Sequence, residues 1–240
     1  MLLKKEMSRQ ELLDYLYQFD KSYGDGLDNS EIRFIFKECD LGNTMDIVPN
    51  ILNQFYSEYD LIDDKKNIYH SVLKKLKDSF SLTEKNILEV GGGPVPILGR
   101  LIAKEAKTIT VMDTNISIKN SLDNMFLKNS YFLPFTDIKE YDLVVSYMAC
   151  GAFESIIHNC TKNNKDFFIG LCPCGKEAAE EVFNNNMTDD DYMDSIIEYA
   201  SKRVKENDMG TLNIEYLEDQ PLYTNPIIYN KRKKLIYIKR

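Results

Sequence analysis

NILEVGGGPVPILGRLIAKEAKTITVMD, residues 86–113, is the stretch from which the rest of the chain can be read. It opens on a short apolar run, Ile87-Leu88-Glu89-Val90, of the kind that forms a strand buried on both faces. Three glycines follow, Gly91, Gly92 and Gly93, and then Pro94. The spacing next turns helical, with Val95, Leu98, Leu101, Ile102 and Ala106 three and four residues apart. A second apolar run, 108–112, ends on Asp113. The order is strand, glycine turn, helix, strand, acid, which is half of a nucleotide-binding α/β unit.

The order has a physical logic. Glycine lacks a β-carbon, so the turn can be tight and a ligand can touch its backbone. A helix beginning near Val95 aims its free N–H groups at the same place. Asp113, at the tip of the next strand, can accept the hydroxyls of a ribose. A dinucleotide fingerprint would need a third glycine where Pro96 stands, which argues against NAD, and no GxxxxGK[ST] run is present for a nucleoside triphosphate.

These residues resemble class I S-adenosylmethionine (SAM)-dependent methyltransferases. Glu89-Val90-Gly91-Gly92-Gly93-Pro94 with Asp113 looks like the first two motifs of that family. Phe132-Leu133-Pro134-Phe135 resembles the segment before its fourth strand, and Tyr141-Asp142-Leu143-Val144-Val145-Ser146 the strand itself. The resemblance covers roughly residues 85–175 and most of one domain. It implies a Rossmann-like, mostly parallel seven-stranded sheet with helices on both faces. To this the chain adds an N-terminal helical cap, so the expected domains are 1–83 for the cap and 84–240 for the SAM-binding unit.

Composition bounds the remainder. The 240 residues carry a net charge of −8, from 38 acids against 30 bases. An acidic surface argues against a nucleic-acid partner, because phosphate backbones demand basic surface. No apolar run reaches the length of a membrane span and no signal peptide is visible, so no membrane partner is expected. Five cysteines without framework spacing suit a reducing cytoplasm.

Along the chain, apolar stripes mark four helices before residue 83, the last through Tyr69, Val72, Leu73, Leu76 and Phe80. The acidic loop 20–31 has the length of a calcium loop but Asp25 where the turn glycine belongs, and no metal is expected. After Asp113 comes a helix-like run, 116–127, and then 131–133 as a short third strand. The link from Pro134 to Tyr141 is too short for a full helix, so the usual crossover is missing or reduced. Residues 142–146 read as the fourth strand, 151–160 as a helix, 166–171 as the fifth strand and 176–207 as a broken helical segment. Residues 211–217 and 235–239 alternate as a closing antiparallel pair. The basic run Lys231 to Lys234 reads as a solvated hairpin tip.

The resemblance also implies roles. Gly91, Gly92, Gly93 and Pro94 would hold the methionine part of SAM. Glu89 would order the loop or meet the cofactor's ammonium group, and could instead satisfy loop amides. Asp113 would bind the ribose; Asp113 or Thr114 could equally cap a helix. Phe132, Leu133 and Phe135 would sandwich the adenine or pack in the core. Ser146 and Tyr147 would sit beside the reactive sulfonium, with Tyr147 orienting the acceptor. His158, with Glu154 one turn earlier, is a candidate base or a helix-packing residue. Cys172 and Cys174 lack metal-pair spacing.

Three functions are therefore open. The first is methyl transfer from SAM to a small molecule or peptide. The second is aminocarboxypropyl transfer, because Gly91-Gly92-Gly93-Pro94-Val95-Pro96 also resembles the turn of nicotianamine synthase-like enzymes. The third is a non-catalytic SAM-binding module.

Overall fold

The structure is a computed structural model. It describes residues 68–93, 96–114, 116, 122–149, 151–172, 187–217 and 234–239. Helix α1 (Ile68–Ser79) leads into β1 (Asn86–Val90), α2 (Ile97–Ala103) and β2 (Thr108–Asp113). Then come β3 (Met125–Asn129), β4 (Leu143–Tyr147), α3 (Phe153–Lys162) and β5 (Asp166–Gly170). Helix α4 (Asp189–Glu206), β6 (Asn213–Tyr216) and β7 (Lys234–Ile238) complete the described elements.

The seven strands form one sheet in the order β3-β2-β1-β4-β5-β7-β6. Strands β1 to β5 run parallel, and β7 is antiparallel to both β5 and β6. This is the Rossmann-like sheet that the sequence implies, closed by the antiparallel pair it implies. The central strands are buried almost throughout, with Ile87, Leu88, Leu143, Val144, Val145, Phe167 and Ile169 all at 0% exposure. Their side chains divide by parity between two cores. Ile87, Ile109, Val111, Leu143, Val145 and Phe168 pack toward α1 and α2. Leu88, Val90, Met112, Val144, Phe167 and Ile169 pack toward α3 and α4.

Helix α2 is short because its borders are fixed. Pro96, which has no N–H to leave unpaired, takes the position before its first turn, two residues later than the expected start. Ala106, read as part of this helix, lies just past its end and is still buried. Helix α4 starts on a reciprocal cap: Thr188 Oγ1 accepts from the Asp191 amide, and the Asp191 carboxylate accepts from the Thr188 amide.

The third strand is a correction. Residues 125–129 pair with β2, whereas 131–133 lie in a loop. The helix-like run 116–127 therefore ends as strand. Strand β3 is an edge strand whose outer face is only half covered, with Phe126 53% exposed, so its apolar signal is weak. No helix occupies residues 130–142 between β3 and β4, as the short link implied.

A second correction concerns Lys234. It does not belong to a solvated tip but begins β7, where its buried ammonium donates to Asp194 at 2.6 Å and lies 3.5 Å from Asp190. The three basic residues before it, the helices expected before α1 and the acidic loop 20–31 lie outside the described residues, as do Pro94, Cys150 and Cys174. Among the described residues no helix is long and apolar enough to cross a membrane.

Candidate functional site

In an open parallel sheet, ligands sit outside the carboxyl ends of the strands, where the strand order reverses. Here that point lies between β1 and β4. The three glycines after β1 divide their work there. Gly91 (φ 80°) donates its N–H to the Met112 carbonyl at 2.9 Å, and a β-carbon on it would overlap Ala149 in the loop after β4. Gly92 is walled by Val111, Pro96 and Glu89. Gly93 (φ 71°) differs, because among the described residues nothing lies within 4 Å of where its side chain would project. Two glycines thus permit close packing of the turn, and the third faces open space.

Asp113, at the end of β2, reaches across to that third glycine. Its Oδ2 accepts the Gly93 N–H at 3.0 Å, and its carbonyl accepts the Ser130 N–H at 3.0 Å. Asp113 therefore fixes the glycine turn through its carboxylate and the segment after β3 through its backbone carbonyl. Thr114 beside it is exposed.

Glu89 lies under the turn rather than in it. Strand parity sends its side chain to the α2 face, where it is 3% exposed. Its Oε2 is in contact distance of positions that only glycine leaves open, Gly92 and Gly99. That oxygen has no hydrogen-bond partner among the described residues. Burial, reinforced by the negative charge of Asp113, pushes its carboxyl up to about 8, while the amide of Gly99 in the first turn of α2 pulls the other way. Glu89 thus holds a proton at neutral pH.

The fourth strand separates the remaining residues by parity. Ser146 faces α3 at 0% exposure, and its hydroxyl has no partner among the described residues. Tyr147 faces the other way, packed edge-on against Tyr69 of α1 (centroids 5.5 Å apart) and over Gly170, where a side chain would overlap the ring. Tyr147 is therefore a buried wall residue in this arrangement. The loop beyond it turns on Met148 (φ 60°), a conformation that costs a non-glycine residue about 1–2 kcal/mol. The Met148 amide is held by the Gly170 carbonyl at 2.9 Å.

The other predicted residues scatter. Phe132 is buried with Met112 and Ile138 in the α3-side core, whereas Leu133 is 41% and Phe135 79% exposed. His158 is half-buried in the second turn of α3, which runs from the carboxyl end of β4 back toward the start of β5. The structure does not bring it to the strand ends with Asp113 and Gly93, and Glu154, one turn earlier, is exposed. Cys172 is buried just past β5.

Two residues escaped the sequence reading. Asn129, ending β3, holds the segment after Asp113: its Oδ1 accepts the Ile116 amide at 3.0 Å and its Nδ2 donates to the Ile116 carbonyl at 3.4 Å. Asn159 on α3 is 1% exposed and donates to the Thr136 carbonyl at 2.7 Å and the Leu133 carbonyl at 3.4 Å. A lone asparagine carries no sequence signature for either role.

The sheet order, the antiparallel seventh strand and the glycine turn facing an acid on the next strand are now in view. The fold is that of class I SAM-dependent methyltransferases. Among solved structures the chain is similar to a candidate hemolysin from Lactococcus lactis. The identity is 12%, the TM-score 0.51, and the match covers 71% of this chain and 85% of that one. It is also similar to a candidate SAM-dependent methyltransferase from Listeria monocytogenes. There the identity is 15% and the TM-score 0.49, over 71% and 99% of the two chains. A third is the N-methyltransferase NodS from Bradyrhizobium japonicum, in complex with S-adenosylhomocysteine, at 14% identity and TM-score 0.45 over 74% and 89%. At such identities the likeness is one of fold. No known sequence family and no curated protein matches the chain.

Proposed function

We propose that this protein is a SAM-dependent methyltransferase acting on a small-molecule or peptide acceptor. One observation carries the reading: Gly93, with no described residue where a side chain would project, is bonded through its N–H to the Asp113 carboxylate at the switch point of the sheet. The donor set suits a cationic nucleoside. Asp113 offers acceptors to ribose hydroxyls, and Gly93 offers backbone that can be approached closely. Glu89 supplies a second acid beneath the turn, whose ionised form a nearby cation would favour.

SAM, when bound, supplies an activated methyl group on a sulfonium, which needs alignment more than it needs a reactive side chain. The residues of this chain then do three things. Gly93 and Asp113 fix the cofactor's place and orientation. Glu89 and Gly92 shape the turn beneath it. The loop after β4, held through Met148 and packed on Gly91, borders the space where an acceptor would lie. The first turn of α1 also reaches this end of the sheet, through the Tyr69–Tyr147 contact. The acidic balance of the chain favours an acceptor other than nucleic acid.

Calorimetric titration with SAM, followed by analysis of cofactor-derived products, tests the reading. Binding is expected, with S-adenosylhomocysteine as the product; methylthioadenosine would instead indicate aminocarboxypropyl transfer, which no described feature of the crevice favours. Asp113→Ala should weaken SAM binding by more than about tenfold, since charge-assisted bonds are lost. No heat from the wild-type protein, or unchanged affinity in Asp113→Ala, overturns it.

A further inference from the structure

We propose that a recess at the amino end of the sheet, opposite to the glycine turn, is a second ligand site, built for a small organic ammonium compound. Its walls are Asn86, Thr108, Thr110, Phe126, Glu140 and Tyr141, around a volume of about 380 Å³. These residues lie at or near the starts of β1, β2, β3 and β4. At about 3.3 Å per strand residue, Thr110 lies about 10 Å back along β2 from Asp113. The recess is therefore separate from the space assigned to SAM and its acceptor, and it does not depend on that reading.

The recess follows from the missing crossover helix. Helix α2 carries the chain from β1 outward to β2 on one face. The return from β3 to β4 runs the opposite way across the sheet, so right-handed connection sends it over the other face, that of α3. Residues 130–142 follow that route without a helix, and Phe132 and Ile138 join Met112 in the α3-side core. Nearer the strand starts the same face changes character. Leu88 and Met112 give way to Asn86, Thr108 and Thr110, and Thr110 stands opposite Phe126, which is 53% exposed.

The lining decides the ligand class. Among the described residues no lysine or arginine lines the recess, and its one charged group is the Glu140 carboxylate. Lys128, two residues along β3 from Phe126, lies outside the lining. The other polar groups are the hydroxyls of Thr108, Thr110 and Tyr141 and the amide of Asn86, and the Tyr141 phenol reaches the side chains of both Thr110 and Glu140. An anion would meet the carboxylate without a counter-charge, whereas an ammonium gains the carboxylate and the face of the Phe126 ring together. The Glu140 wall is set in advance. The Asp142 amide donates to the Asn86 carbonyl and the Asp142 carboxylate accepts the Asn86 N–H, both at 2.8 Å. Lys165 Nζ donates to the carbonyls of Lys139 and Tyr141, on either side of Glu140, at 2.7 Å each. No ordering of this wall is charged against binding. The volume is at the low end for ligand cavities and suits one ring with a short chain.

NMR titration of the full chain with 2-phenylethylamine tests the site. Signals of Thr110, Phe126 and Tyr141 should shift saturably, with Kd of about 1 mM, an affinity within reach of so small a ligand. 2-Phenylethanol, similar in size without the charge, should bind about tenfold more weakly, and phenylacetate should not bind. Glu140→Gln should weaken the amine about tenfold and remove its advantage over the alcohol, whereas Phe126→Ala should weaken both. Both residues are exposed, so neither variant disturbs the core. No saturable shift at about 10 mM amine, equal binding of phenylacetate, or wild-type amine affinity in Glu140→Gln would overturn the proposal. Amine-induced shifts centred on Gly93 and Asp113 would overturn it as well. S-adenosylhomocysteine affinity should be the same in both variants as in the wild type, and failure of the wild type to bind it would count against the SAM reading alone.

Discussion

Replacing Glu89 by glutamine should remove a large part of the protein's pH dependence. The carboxyl is 3% exposed, one of its oxygens is unpartnered among the described residues, and it stays protonated up to about pH 8 against an ordinary 4.5. The sign follows from linkage. The folded state keeps a proton that the unfolded chain gives up above 4.5, so the stabilisation is complete below that value and fades until about pH 8. At about 1.4 kcal/mol per pH unit, the gap caps the effect near 5 kcal/mol. Between pH 5 and pH 8 roughly 3–4 kcal/mol of it is lost, a large share of a typical domain's stability. Glutamine copies the neutral acid in shape and cannot ionise. Urea melts of both proteins at pH 5 and pH 8 should therefore show the variant gaining roughly 3–4 kcal/mol on the wild type over that interval, or roughly 10 °C in Tm. Other titrating groups cancel in this difference. Parallel pH profiles, with the gap changing by less than about 1 kcal/mol, would refute the argument that Glu89 is buried as a neutral acid.

The glycine turn gives a paired prediction. Gly91→Ala meets Ala149 and should lower stability by roughly 2–4 kcal/mol, whereas Gly93→Ala meets open space and should cost only about 1 kcal/mol while its methyl group obstructs the cofactor. Melting temperature and calorimetric titration should thus rank the two in opposite orders; the same order in both assays would contradict the division of labour. Burial pushes the Cys160 thiol up and leaves it at 0% exposure, so iodoacetamide at pH 8 should spare it in the folded protein and label it in urea, as read by peptide mass spectrometry. Rapid labelling without denaturant would show that this part of the α3-side core opens readily.

Why some of this could be read from the sequence is a matter of where each signal comes from. Strands β1, β2, β4 and β5 are apolar because both of their faces are covered, so the runs at 87–90, 108–112, 143–146 and 166–171 announce them. Strand β6 alternates in sequence, but its apolar residues Ile214 and Tyr216 are the exposed ones, while Glu215 turns inward to Lys75 and Tyr237. Strand β3 sends a weaker signal. The absent crossover helix leaves its outer face open, so Phe126 and Lys128 look no more strand-like than the loop residues Tyr131 to Leu133, which are richer in aromatic character. Asp113 opposite Gly93 was legible because both belong to one local unit. Asn159 was not, since its partners lie 23 and 26 residues away and are backbone carbonyls, which any sequence provides. The opposite facing of Ser146 and Tyr147 was present in plain alternation, since Tyr147 shares parity with Leu143 and Val145.

The strand order also sets a timetable for synthesis. Strand β7, residues 234–238, lies between β5 and β6, so β6 has no place in the sheet until those later residues leave the ribosome. Until then the hydrogen-bonding edge of β5, DFFIG, stays open to any passing strand. Loss of one five-residue segment would thus strip two strands from the sheet, and Lys234 would leave Asp190 and Asp194 of α4 without their shared cation.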